Sequence, residues 1–125
     1  MNNEIFQEIF DILAPEFPKE WEKMIFYAGY TNGSYSMKFY TSDKNGIYTD
    51  CFSQAGANRE QLIRLFMRID KLLAPERKLL DDKMKWSVMT MVVEADGNMK
   101  TEFDYDDISE NSLDYEKEWK EKYLK

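Results

Sequence analysis

A chain of 125 residues that is 43% apolar and 15% aromatic has enough large side chains for one folded domain, even with 33% of its residues charged. With no histidine and a single cysteine it lacks the commonest general base, histidine-assisted nucleophiles, an internal disulfide and any cysteine-built zinc site. The net charge of −7 argues against nucleic acid or an anionic membrane as partner, and for a cationic protein.

Residues 3–14 set Ile5, Phe6, Ile9, Phe10 and Leu13 at helical spacing, with Asn2 or Asn3 as the cap and Pro15 and Pro18 as the stop. This segment begins acidic and amphipathic, unlike a secretory leader, and no apolar run approaches the ~18 residues of a membrane span. A cytoplasmic location is expected. Trp21–Tyr30 is aromatic and strand-prone. Asn32-Gly33 is a tight-turn signal, and Ser34–Ser42 then alternates Tyr35, Met37 and Phe39 with Ser36, Lys38 and Tyr40, which predicts a hairpin. The turn "DKNG" leads into a short strand, Ile47–Phe52. Its Cys51 is expected to be a small half-buried side chain rather than a nucleophile.

Gly56 and Asn58 open a second helix over about Arg59–Leu73, which Pro75 closes. Leu62, Ile63, Leu65, Phe66, Ile69, Leu72 and Leu73 form its apolar stripe, and Arg59, Arg64 and Arg68 read as a solvated face. Lys85–Val93 is a buried-looking strand that includes Trp86. Asp96-Gly97 turns the chain into a last strand, Met99–Tyr105, with Met99, Thr101, Phe103 and Tyr105 on one face and Lys100, Glu102, Asp104 and Asp106 on the other. Ser109 or Ser112 caps a final helix that runs to about Tyr123. The order α-β-β-β-α-β-β-α, with short links between strands, predicts an α+β fold. Its antiparallel sheet has about five strands with helices packed on it, in one domain over residues 1–125.

Charge gathers at the end of the chain. Residues 94–125 hold eleven acids against five Lys, a net of −6, while residues 1–93 hold thirteen acids against twelve bases, a net of −1. Glu102, Asp104 and Asp106 share a strand face at a spacing of ~7 Å, where like charges repel. Three uses stand open for this row. It is a solvated face, or a recognition surface on which a partner's Arg can fork onto carboxylates, or a calcium or magnesium site built from Asp104, Asp106 and Asp107. The third lacks the spacing and terminal Glu of a calcium-binding loop, so no metal and no cofactor is expected. The tyrosines Tyr27, Tyr30, Tyr35, Tyr40, Tyr48 and Tyr105 either face a partner or form a second layer beneath the helices.

Taken in order, "FPKEWEKMIFYAGY", "GSYSMKFYTSDKNGIYTD", Trp86 in the fourth strand, "DGNMKTEFDYDD" and "EWKEKYL" resemble the YezG/EsaG-like immunity proteins over nearly the whole chain. That resemblance implies a cytoplasmic, non-catalytic antitoxin that binds the toxic C-terminal domain of a cognate secreted polymorphic toxin, often a nuclease. Nucleases grip phosphates with basic clefts, which an acidic strand face suits. Asp96, Glu102, Asp104, Tyr105, Asp106 and Asp107 are the expected contact residues, with neither nucleic acid nor membrane as a direct partner. The alternatives are a regulatory interaction protein without a toxin, and a carboxylate- or metal-dependent enzyme.

Overall fold

The computed structural model describes residues 3–31 and 33–124. Its centre is β1 (Lys23–Thr31), in which Met24 to Tyr30 are buried without a break. A strand buried on both faces reads as a continuous apolar run and needs a covering layer on each side. β2 (Ser34–Ser42) and β4 (Val88–Glu94) flank it, β3 (Tyr48–Asp50) pairs β2, and β5 (Met99–Asp104) pairs β4. The sheet order is β3-β2-β1-β4-β5, antiparallel throughout. Gly33 and Gly97, at φ +77° and +101°, supply the left-handed turns that join the two hairpins.

Period two divides the strands between two cores. Met24, Phe26, Ala28, Met37, Phe39, Met89 and Met91 point to one face, where α1 (Asn3–Leu13) and α2 (Arg59–Lys78) deliver Ile9, Leu13, Leu62, Phe66, Ile69 and Leu73. Ile25, Tyr27, Tyr40 and Val88 point to the other, and α3 (Ser112–Tyr123) covers them with Trp119, helped by Ile108 from the preceding loop. The Trp119 ring stands edge-on to Tyr27 at 5.0 Å and tilted to Tyr40 at 5.7 Å, and its indole N–H donates to Thr90 Oγ1 at 2.8 Å. Tyr27 and Tyr40 thus form a second buried layer under a helix. Tyr30 is buried on the α2 side, where its hydroxyl donates to Asp70 at 2.7 Å. Tyr35 and Tyr105 stay exposed.

The element order and the fold class agree with the sequence pattern, and several boundaries differ from it for physical reasons. Helix α2 passes through Pro75 and continues to Lys78. Pro75 and Lys71, whose carbonyl loses its helical donor, are both exposed residues, so the proline falls on the solvent side of the helix. Beyond it Arg77 anchors the last turn by donating to the Trp86 carbonyl at 2.7 Å and stacking over Tyr30 and Trp86 at 4.8 and 5.4 Å. Trp86 precedes β4 instead of lying within it. The N–H and hydroxyl of Ser87 both donate to the Asp104 carbonyl, at 2.7 and 3.0 Å, and this bulge ends the ladder. The indole N–H of Trp86 is buried without a hydrogen-bond partner, and the centre of its ring lies 5.5 Å from those of Tyr30 and Phe103.

β3 is only three residues long because the Asp50 carboxylate accepts from Phe52 N–H at 2.8 Å and starts a 3-10 turn, Cys51–Ser53. Cys51 is fully buried there, and burial pushes its thiol up to about 12. Asn58 caps α2 through Gln61 N–H at 3.1 Å, as its position suggests. At α3 the cap position belongs to Asn111, with no side-chain cap bond, and Ser112 is the first helical residue. Asn3 lies inside α1, while Asn2 and Asn32 fall outside the described residues. No described helix is long and apolar enough to cross a membrane.

One side chain carries most of the contact between α3 and the sheet. Trp119→Ala should cost about 3–5 kcal/mol, measured by urea unfolding. Amide exchange should show α3 opening ahead of the five strands.

Candidate functional site

The two faces of β5 meet different neighbours. Met99, Thr101 and Phe103 border a groove of about 780 Å³ walled also by Phe6, Leu80 and Trp86. Glu102 and Asp104 turn the other way, under α3, where they line a smaller cavity with Tyr115, Trp119, Lys122 and Tyr123. The expected alternation on this strand is present, and α3 closes over the acidic side of it.

Glu102 has three partners. It accepts a hydrogen bond from the Tyr123 hydroxyl, and it pairs with Lys100 Nζ at 3.0 Å and Lys122 Nζ at 3.9 Å. The Tyr123 bond, followed by the Lys100 bond, holds its carboxyl below the usual carboxylate range. Burial, reinforced by the bond to Glu102, pushes the Tyr123 hydroxyl up to about 12. Asp104 accepts from Asp106 N–H at 3.1 Å and lines the same cavity as Tyr115. Burial first, and then the nearby Asp104 carboxylate, raises Tyr115 above the ordinary phenol range. Glu102 therefore helps hold α3 in place.

The other expected contact residues point outward. Tyr105 is 52% exposed, and Asp106 and Asp107 lie open in the loop that follows β5. Asp107 accepts from Ser109 N–H at 3.0 Å, and that bond lowers its carboxyl. Asp96 sits apart, in the β4–β5 turn, where it accepts from Asn98 N–H at 3.0 Å and Nδ2 at 3.2 Å. The six residues of β5 separate it from Asp106 by roughly 20 Å. The structure thus gathers Tyr105, Asp106 and Asp107, turns Glu102 and Asp104 inward, and leaves Asp96 at the far end of the strand.

Three further residues join the outward group. Glu110 and Asp114 are exposed, and Leu113 is 82% exposed between them. No Lys or Arg occurs from residue 101 to residue 116, so nothing local neutralises this loop. Both signals, an unbroken acidic run and an apolar residue outside the helical stripe, were present in the sequence. Among the described residues no three acidic or thiol side chains gather as a metal-holding group.

A surface that sets exposed Tyr and Leu among unpaired carboxylates suits a basic protein better than a small ligand. The model of the family described as immunity protein YezG-like matches residues 2–125. The chain belongs to this family of immunity proteins. No curated protein matches the sequence. Immunity proteins act on a protein partner, a toxin, which agrees in kind with the surface described above.

Because its carboxyl is held below the usual range, Glu102 adds stability that is complete above about pH 4.3 and fades as the pH falls through its lowered value. Its side chain is 36% exposed, so the contribution stays near the surface range, about 0.5–1 kcal/mol. Glu102→Gln should lose that amount at pH 7, and the gap to the native chain should narrow as the pH is lowered from about 4.3. Urea unfolding over a series of acidic pH values measures it.

Proposed function

We propose that this YezG-like immunity protein is a non-catalytic cytoplasmic antitoxin, acting as one domain over residues 1–125. It binds the toxic C-terminal domain of a cognate secreted toxin and neutralises it. The toxin domain is a basic one, and a nuclease fits best because such enzymes carry cationic clefts for phosphate. The observation that carries this reading is the exposed segment from the end of β5 into the first turn of α3, where Asp106, Asp107, Glu110 and Asp114 alternate along the chain with exposed Tyr105 and Leu113 and no base falls among them.

The roles within the loop follow from exposure. Tyr105 and Leu113 offer apolar area that a partner can bury, and the four carboxylates steer a cationic surface toward it. Asp104 and Glu102 support the loop from beneath through the Asp106 N–H, Tyr123 and Lys122. Asp96 would need a second contact at the other end of β5.

Calorimetry with the C-terminal domain of the neighbouring secreted protein, at low and moderate salt, tests the reading. Tight binding that weakens with salt supports it. Asp106→Lys with Asp107→Lys should slow association by about tenfold or more and remove most of the salt dependence, while the native circular dichroism spectrum is retained. Absence of binding by the native chain would overturn the assignment. Unchanged affinity in the charge-reversed chain would move the interface elsewhere.

A further inference from the structure

We infer that β5 is also the seam of a symmetric dimer, in which two copies of this chain join their sheets edge to edge about Thr101. The pairing involves no toxin and stands apart from the function proposed above.

β5 is the last strand of the sheet and has a neighbour on one side only. The Glu94 N–H bond to the Asn98 carbonyl, at 2.8 Å, sets the parity of the ladder. With Val92 opposite Lys100, Thr90 opposite Glu102 and Val88 opposite Asp104, those residues direct their backbone groups at β4. Met99, Thr101 and Phe103 therefore direct their N–H and C=O groups away from the sheet, along a free edge. An edge of this kind is a template for another strand.

The residues along this edge complement themselves. Met99-Lys100-Thr101-Glu102-Phe103 reads as apolar, base, neutral, acid, apolar about its own midpoint. A twofold axis through Thr101 sets Met99 opposite Phe103, Thr101 opposite Thr101, and Lys100 opposite Glu102 twice over. Opposite charges across a strand pair attract and like charges repel. Sliding one strand by two residues keeps the outward hydrogen bonds but sets Lys100 against Lys100, or Glu102 against Glu102. Only the register about Thr101 meets neither repulsion. Beyond Phe103, Asp106 of one copy comes level with Asp96 of the other, so like charge ends the ladder there.

The groove beside β5 supplies a second argument. Leu79 and Met84, exposed at 83% and 55%, both border it. The same axis sets the two grooves side by side on one face of a continuous sheet, where these side chains from both copies can cover one another. A basic strand from another protein would meet Lys100 at the middle of this edge, whereas a second copy answers it with Glu102.

Analytical ultracentrifugation over a dilution series tests the seam. The native chain should approach twice its 15.0 kDa mass. Lys100→Glu should raise the dimer dissociation constant by about tenfold, and so should Glu102→Lys. An equimolar mixture of the two variants should regain native association, since each charge then meets its opposite. Thr101→Pro should give a monomer with a native circular dichroism spectrum, because that N–H serves no bond within the chain. Thr101→Pro leaves Glu102 and its partners Lys100, Tyr123 and Lys122 in place, so it reads the seam even if Glu102→Lys unfolds or Lys100→Glu disturbs Glu102. A native chain that sediments at one chain's mass throughout would overturn the inference. A dimer that survives both Lys100→Glu and Thr101→Pro would overturn it as well.

Discussion

The insertion of Trp119 between Tyr27 and Tyr40, with its indole N–H on Thr90, closes the second face of the sheet. β1 is apolar on both sides and cannot lie at a surface. α1 and α2 cover one face with a wide stripe of aliphatic and aromatic side chains. α3 has twelve residues and buries only Trp119, so one large ring does most of what several side chains do on the other face. A Trp suits the task because it buries a large area and its single donor finds an acceptor in the buried Thr90 hydroxyl.

The placement of charge follows from that insertion. Once α3 lies across β5, Glu102 and Asp104 are beneath a helix and need partners, which the Tyr123 hydroxyl, the Asp106 N–H and the ammonium groups of Lys100 and Lys122 provide. The loop between β5 and α3 is pushed outward and carries Asp106, Asp107 and Glu110 with it. One acidic segment thus has a structural half and an exposed half. The exposed half is available to a basic partner without any cost to the packing of α3.

Much of the fold was legible because its signals are local. Asn-Gly and Asp-Gly turns, strict alternation along residues 34–42 and 99–104, and helical spacing in residues 59–73 each act within a few residues of chain. Two of the expectations that failed depend on contacts distant in sequence. α2 runs past Pro75 because Arg77 reaches Trp86 and Tyr30, and Trp86 leaves the strand because Ser87 doubles its bonds to Asp104. The tyrosines of the hairpin could not be placed from period two alone, which assigns them a face but does not say whether that face is covered. For the contact residues, the sequence located the acidic region and could not divide it.

Composition, missing histidine, turn chemistry and hydrophobic period are properties of the chain taken a few residues at a time. They determined a five-stranded antiparallel α+β fold, the concentration of negative charge at its end, and the resemblance to immunity proteins that the family match then established. Tertiary structure alone decided which carboxylates hold the protein together and which face outward, and which strand ends the sheet with its hydrogen bonds open. The reason is that burial and pairing of a side chain depend on what another element brings over it. For Glu102 and Asp104 that element is a helix docked by an indole that the chain folds back across the whole sheet to place.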